Sequence, residues 1–188
     1  VKCLAPSSGA PLSRMLTVLL PFTLVFINGR IETGAQVDAD ISVVWPTVRN
    51  LGDWDQWQSI FSIDVEGGGE PAPGTDILIT SYFGFPWGTQ RTHERIYALN
   101  DGNDAKAICW DVVSLVLGPI HVPGWLLLYS TERCVELTRS GSGTSITNWI
   151  EYKGLMSPWL KLLTNRVILR HFSLWNQALV RLHGAGRM

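Results

Sequence analysis

Three polar side chains fall at positions that the sequence pattern turns toward a protein interior. From Tyr129 to Leu137, the odd-numbered residues include Val135 and are mostly apolar or aromatic, and alternate residues of a strand share one face. Arg133 lies on that face, and a buried arginine needs a partner for its charge. Glu151, in the next predicted strand, is the predicted partner.

The third polar side chain, His171, lies on the apolar stripe of a predicted C-terminal helix. One interpretation is a core histidine whose hydrogen bonds are satisfied. The alternative is a general acid or base that faces a cavity, because histidine titrates near neutral pH. In that case His171 moves a proton and Arg133 holds a carbonyl or enolate oxygen with its fork of donors. Glu151 then orients Arg133 or acts as the base.

Common catalytic and cofactor motifs are absent from the sequence. There is no GxSxG elbow, no HExxH helix and no phosphate-binding glycine loop. The glycine run at 67–69 leads into a proline-containing loop and is interpreted as a linker. Asp53 and Asp55 flank a tryptophan beside a turn, where we interpret them as a solvated cap. The sequence therefore predicts no metal site and no organic cofactor.

Nine tryptophans are many for 188 residues. They fit a tryptophan-rich core or a pocket lined by aromatic rings, since ligand sites are mostly apolar and aromatic. The candidate ligand-binding residues are Trp54, Trp57, Tyr82, Trp110, Tyr129 and Trp149. One face of the strand predicted over 90–99 carries Arg91, His93, Arg95 and Tyr97. We interpret it as the solvated outer face; the alternative is a polar patch in the pocket.

The elements that position these residues follow from hydrophobic periodicity. A strand is predicted over 30–37, a short helix capped by Asp38 or Asp40 follows, and 51–61 forms a second short helix or wide turn. Further strands are predicted over 75–83, 90–99, 105–113, 126–137 and 144–152, with an apolar loop or lid at 114–125. Polar turns between them predict an antiparallel meander.

A long amphipathic helix is predicted from Pro158 to His183, with Ser157 as its cap. The order of elements predicts an α+β helix-grip arrangement: a curved antiparallel sheet wrapped around the C-terminal helix, with two short helices after the first strand. Such a sheet encloses a cavity. The domain spans residues 30–184, between an N-terminal leader (1–29) and a tail (185–188).

Composition restricts the partners and the compartment. The net charge of −1, with no long basic run, argues against nucleic-acid binding. Cys3, Cys109 and Cys134 are too few and too scattered for a disulfide framework. Cys109 and Cys134 lie in strand-like runs, where a free cysteine behaves as a small buried apolar residue. A reducing, cytoplasmic location is the expectation.

Residues 15–27 are almost wholly apolar and contain Pro21. Thirteen residues are too few to span a bilayer as a helix. We predict that this segment adds to the folded domain or makes a peripheral membrane contact. A secretory signal is the alternative.

Three stretches carry a family resemblance. The first is 31–45, where a predicted strand is followed by an aspartate, an alanine and Trp45. The second is 51–57, which contains two tryptophans. The third is the spacing of Phe172, Asn176 and Leu179 in the last helix. Over residues 30–184 the chain resembles the START-like superfamily, in particular its polyketide cyclase/dehydratase and lipid-transport group. The resemblance implies the helix-grip fold and an internal site for a hydrophobic molecule.

Two functions from different classes remain open at this point. The first is a carrier or binding protein for a lipid, polyketide or terpenoid. The alternative is a cofactor-independent enzyme of the cyclase/dehydratase type, in which cavity polar residues transfer a proton. Fold alone does not choose between them. Interior polar groups that pair with each other favour a carrier, and groups that point unpaired into a cavity favour catalysis.

Overall fold

A computed structural model describes residues 29–84, 88–127 and 129–184, without the side chain of Leu127. The leader, the apolar segment 15–27 and the tail 185–188 lie outside the described residues. The strands are β1 (Gly29–Val37), β2 (Phe61–Val65), β3 (Asp76–Gly84), β4 (Gly88–Asp101), β5 (Ala105–Leu117), β6 (Ile120–Pro123), β7 (Ser130–Ser140) and β8 (Gly143–Lys153). The α-helices are α1 (Ile41–Arg49), α2 (Trp54–Trp57) and α3 (Ser157–Gly184).

The eight strands form one curved antiparallel sheet in the order β1-β8-β7-β5-β4-β3-β2, with β6 added to β5. Short turns connect most neighbouring strands, as the predicted meander requires. Helix α3 packs mainly on β1 and β8 and turns its buried side chains toward the concave face of the sheet. The predicted fold class, including the two short helices after the first strand, is confirmed.

One asparagine explains part of the motif in the last helix. Asn176 of α3 accepts a hydrogen bond from Asn148 of β8 at 2.8 Å and donates one to Thr33 of β1 at 3.2 Å. Asn148 and Asn176 are buried, so their amides need partners inside the fold. Asn176 thereby fixes the position of α3 against the two strands it covers, while Phe172 and Leu179 of the same motif pack in the core.

The start of α1 is capped by Asp40, one of the two predicted candidates. Its carboxylate accepts the backbone N–H of Ser42 at 2.9 Å. This bond, the Ser42 hydroxyl and the nearby Arg139 guanidinium lower the pKa of Asp40 to about 2. The cap therefore stays ionised at neutral pH. It directs α1 so that Val44, Trp45 and neighbouring apolar residues face the core.

The predicted apolar loop at 114–125 is wrong. Strand β5 continues to Leu117, turns at Gly118 with a φ of +59°, and returns as β6 with Leu117 opposite Ile120. The positive φ at Gly118 permits the tight turn. Because β6 is an edge strand, it tolerates Pro123, which cannot donate to a ladder. Strand β2 was also absent from the predicted elements.

The prediction of free cysteines is also wrong, because Cys109 and Cys134 form a disulfide. They lie directly opposite each other on β5 and β7, and their side chains pack with Trp149 on the convex face in a cluster separate from the main core. Strand pairing brought the two thiols together, and their sequence separation of 25 residues gave no sign of it. Disulfides persist in oxidising compartments, so this pair argues against the predicted reducing location.

Candidate functional site

The interior of the grip contains two spaces that meet at Arg133. The inner pocket has a volume of about 20 Å³, enough for one water molecule. The outer cavity has a volume of about 310 Å³. Arg133 lines both. The arginine therefore lies between the outer cavity and the packed core.

Tryptophans close the inner end. The ring centroid of Trp175 lies 5.1 Å from that of Trp54 and 5.3 Å from that of Trp57, and the ring of Trp110 lies 6.1 Å from that of Trp54. These tilted and edge-on pairs are favourable aromatic geometries. Trp54 and Trp110 line the inner pocket, whereas Trp57 packs against the cluster at the edge of the core. The rings therefore act mostly as core, with little open space between them.

The outer cavity lies between the first half of α3 and strands β3, β4, β5, β7 and β8. Its walls are mainly aliphatic and aromatic, with a few hydroxyl groups and one charge: Phe83, Gln90, Thr92, Val112, Leu115, Tyr129, Thr131, Arg133, Ile150, Tyr152, Leu160, Thr164, Val167 and Ile168. Tyr129 is here, as predicted. Burial raises the pKa of Tyr129 and of Tyr152, so both hydroxyl groups keep their protons at neutral pH.

Arg133 faces the interior as predicted, but its partner is Glu94 and not Glu151. The Arg133 Nη1 to Glu94 Oε1 distance is 3.9 Å, which is an ion pair without a hydrogen bond. Glu94 is fully buried, and its Oε1 accepts the Thr92 hydroxyl at 2.6 Å. Alternation along β4 places Thr92, Glu94 and Ile96 inside. Because the sequence predicts that Arg91 and Arg95 face outward, the even-numbered Glu94 between them must face inward. That inward position was not predicted from the sequence.

Several polar atoms around this pair have no hydrogen-bond partner within the described residues. They are Glu94 Oε2, Arg133 Nε, Thr131 Oγ1 and the indole nitrogens of Trp57, Trp110 and Trp175. Buried polar groups are almost always satisfied in native proteins, and each exception needs an explanation. Arg133 and Thr131 also line the outer cavity. Two of the residues that carry these atoms therefore lie next to the space that a bound molecule would occupy.

Burial raises the pKa of Glu94, while the Arg133 charge and the Thr92 hydrogen bond oppose the shift. The Trp110 indole acts in the same direction as Arg133, although its N–H does not complete a hydrogen bond. At 3.9 Å from Glu94, the Arg133 guanidinium keeps hydrogen-bonding capacity that a ligand oxygen can meet.

The pKa of Glu94 gives a pH prediction. Between its ordinary value of 4.5 and its raised folded value, the folded protein holds a proton that the unfolded chain releases. The stability from Glu94 is therefore complete below pH 4.5 and is lost as the pH rises through the folded pKa. We expect Glu94→Gln to gain stability relative to the unaltered protein as pH rises, by at most about 1.4 kcal/mol per pH unit.

Urea denaturation of both proteins at a series of pH values measures this difference. Glu70→Gln is the matched control, because the same substitution there changes a side chain that is 86% exposed and removes no buried carboxyl. A difference for Glu94→Gln that is flat or falls with pH would contradict the assignment of a raised pKa.

His171 is held by the backbone. Its Nδ1 lies 2.6 Å from the carbonyl oxygen of Val167, its Nε2 lies 3.1 Å from that of Tyr82, and its ring packs edge-on against Phe83. The residue is buried, and it does not line either space among the described residues. Both nitrogens are thus directed at carbonyl groups of α3 and β3. This geometry favours the core-histidine alternative over the proton shuttle.

Three further predicted site residues lie elsewhere. Alternation along β8 turns Ile150 and Tyr152 inward, so Trp149 and Glu151 face the convex side. Although Trp149 borders the inner pocket, its ring packs against the disulfide, and its indole donates to Glu136 at 2.6 Å. Glu151 lies 3.9 Å from Lys153. Tyr82 is 47% exposed and contributes its carbonyl oxygen, not its ring, to the interior.

Within the described residues, one group brings three potential metal ligands together: Glu66, Asp76 and His93. It lies on the convex side of the sheet, away from both spaces. Asp76 already accepts two hydrogen bonds from Arg95, at 2.7 and 3.1 Å, and Glu66 pairs with His93 at 3.3 Å. The group is thus a network of surface ion pairs outside the candidate site.

The architecture has close counterparts among solved structures, although no protein-family profile and no curated protein matches the sequence. A hypothetical protein of Helicobacter pylori aligns with a TM-score of 0.64 and 12% identity, covering 97% of this chain and 99% of that one. Ginseng (Panax ginseng) major latex-like protein 151 gives a TM-score of 0.63 and 15% identity, covering 84% and 98%. A START superfamily protein from Mycobacterium smegmatis gives 0.57 and 12%, covering 83% and 97%.

The chain has the helix-grip fold. At 12–15% identity these neighbours establish the architecture and not the activity. The resemblance to the START-like superfamily is confirmed at the level of that fold. In this helix-grip protein the cavity lies between the long helix and the sheet, with Arg133 at its inner end.

Proposed function

We propose that this helix-grip protein binds a hydrophobic small molecule in the outer cavity, as a carrier or binding protein. The observation that carries the proposal is the cavity of about 310 Å³ with mainly apolar walls. Ligand pockets of about 300–1,000 Å³ are typical for small molecules. The START-like resemblance, which implies a hydrophobic ligand, supports the same conclusion.

The ligand class follows from the inner end of the cavity. Arg133 Nε has no partner among the described residues, and the nearby Glu94 carboxyl has a raised pKa. A bound oxygen acceptor at the guanidinium would meet the positive charge. We therefore propose an apolar molecule that carries a carbonyl, hydroxyl or carboxylate group, with that group at Arg133 and the apolar part toward Leu160 and Val167.

Two probes test this arrangement: diphenylhexatriene, a fluorescent hydrocarbon, and a long-chain fatty acid that displaces it. We expect Arg133→Met to lower fatty-acid affinity at least about tenfold, because hydrogen bonds to charged groups contribute about 1.5–3 kcal/mol. The affinity for the hydrocarbon should not fall, since methionine leaves the wall apolar. Equal loss for both probes would show that the substitution damages the cavity and not a polar anchor.

Arg91→Met is the matched control for this experiment. Arg91 lies on β4 and is exposed, so the same substitution there removes a charge without touching the cavity. Both affinities should be unchanged. Failure of either probe to bind the unaltered protein would count against the proposed ligand-binding function itself.

One observation favours a second candidate, the cofactor-independent cyclase/dehydratase-type enzyme. Glu94 is a buried carboxyl with a raised pKa and a free Oε2 beside Arg133, and such perturbed groups are typical of proton-transfer sites. Glu94 then takes the proton-transfer role predicted for His171 and Glu151. Glu94→Gln separates the functions: a co-purified ligand that is slowly converted by the unaltered protein but only bound by the variant would establish the enzyme.

A further inference from the structure

A group of large apolar side chains is exposed beside the outer cavity. We call it the apolar rim and define it as Trp125, Leu126, Leu155, Trp159, Leu162 and Leu163. Trp125 is 76% exposed, Leu162 is 72% exposed and Trp159 is 62% exposed. Folded proteins rarely expose contiguous apolar patches of this kind unless the patch meets a partner or a membrane.

The rim adjoins the wall of the outer cavity. A surface cleft lined by Trp125, Tyr129 and Gly154 connects the turn after β6 with the turn before α3. Tyr129 also lines the outer cavity, as does Leu160, which lies between rim residues on the first turns of α3. A surface that covers the rim would therefore lie next to the wall of the cavity as well.

The same face of α3 continues as a basic stripe. Leu163, Arg166 and Arg170 follow Trp159 at intervals of four, seven and eleven residues, which places all four on one side of the helix. Helix α3 contains Lys161, Arg166, Arg170 and Arg181 and no aspartate or glutamate. Exposed tryptophan and leucine beside arginine is the composition that binds the interface of an anionic bilayer.

We propose that the apolar rim docks this protein on a bilayer that contains anionic phospholipid. Leucine and tryptophan enter the interface between headgroups and acyl chains, and Arg166 and Arg170 lie against the phosphates. The charge of the helix selects the anionic surface, since a second copy of this chain would bring two basic helices together. The proposal concerns a surface and stands apart from the ligand in the cavity. None of the described helices is long and apolar enough to cross a membrane.

The test is flotation of the full chain with phosphatidylcholine vesicles, with and without phosphatidylserine. We expect binding to the phosphatidylserine vesicles and weaker binding in high salt. The double variant Leu162→Glu and Leu163→Glu should lower the partition coefficient at least about tenfold, because it removes buried apolar area and adds repulsion. Glutamate favours helices, so α3 should stay folded.

The matched control is Val43→Glu with Leu182→Glu. Both residues are exposed and apolar, at 56% and 48%, and the change in net charge is identical. Leu182 lies about 30 Å along α3 from Leu162 at 1.5 Å per residue, and Val43 lies on α1. This control should bind vesicles as the unaltered protein does.

Three results would overturn the proposal. The first is no vesicle binding by the unaltered protein. The second is unchanged binding by the rim variant, which would assign the membrane contact to other residues, such as the apolar segment 15–27. The third is a dimer of the unaltered protein that the rim variant converts to a monomer, with no vesicle binding by either. In that case a second copy covers the rim.

Discussion

Replacing Trp175 with alanine is expected to lower the free energy of unfolding by about 3–5 kcal/mol. Trp175 is 1% exposed and its ring packs against those of Trp54 and Trp57. From α3, Trp175 contacts both tryptophans of α2 and lines the inner pocket. The interior around this ring is closely packed, with an inner pocket that has room for only one water. The neighbouring rings therefore cannot fill the space that the substitution leaves without moving the helix.

Urea denaturation monitored by far-UV circular dichroism measures this loss. Trp125→Ala is the matched control, because the same substitution at a side chain that is 76% exposed should change stability by less than about 0.5 kcal/mol. A loss for Trp175→Ala that is no larger than that of the control would show that the tryptophan cluster does not hold α3 on the sheet.

Filling the outer cavity should abolish ligand binding. Val167 lines the cavity from α3, and Val167→Trp would place an indole in the space proposed for the apolar part of the ligand. Because the cavity measures about 310 Å³, the ring has room and the protein should remain folded. We expect the affinity for diphenylhexatriene or a fatty acid to fall at least about a hundredfold, as the ligand must displace a packed side chain.

Gln177→Trp provides the comparison, since Gln177 is an exposed residue farther along the same helix. Its affinities should match those of the unaltered protein. Circular dichroism and the urea midpoint of each variant show whether both are folded. If Val167→Trp is folded and still binds both probes with unchanged affinity, they occupy a different site.

The fold could be predicted because its signals are local. The alternating residues of β1, the carboxylate that caps α1 and the long stripe of α3 each determine their own element. The end of β5 and strand β6 were missed because residues 114–125 are mostly apolar and contain two prolines. Such a run does not show which face is buried, and only pairing with β5 gives it a strand conformation.

The site was predictable only in part. Alternation placed Arg133 inside correctly, because Val135 and Leu137 mark that face of β7. The partner of Arg133 could not be predicted because it depends on the packing of distant strands: β4 brings Glu94 to 3.9 Å from Arg133. Glu151 was chosen instead because it shares a face of β8 with Trp149, and that face was taken as the inner one. A buried aromatic ring usually marks the core face, but here the disulfide buries Trp149 on the convex side. That contact joins residues far apart in sequence.

The most direct test of the central claim is native mass spectrometry of the purified full chain and of the Val167→Trp variant. The account predicts that the unaltered protein carries an apolar, oxygen-containing molecule in a one-to-one complex, or takes up an added fatty acid in that ratio. The folded variant should carry neither. An unaltered protein that binds no such molecule, or a variant that binds it equally well, would contradict the assignment of the outer cavity as a hydrophobic ligand site.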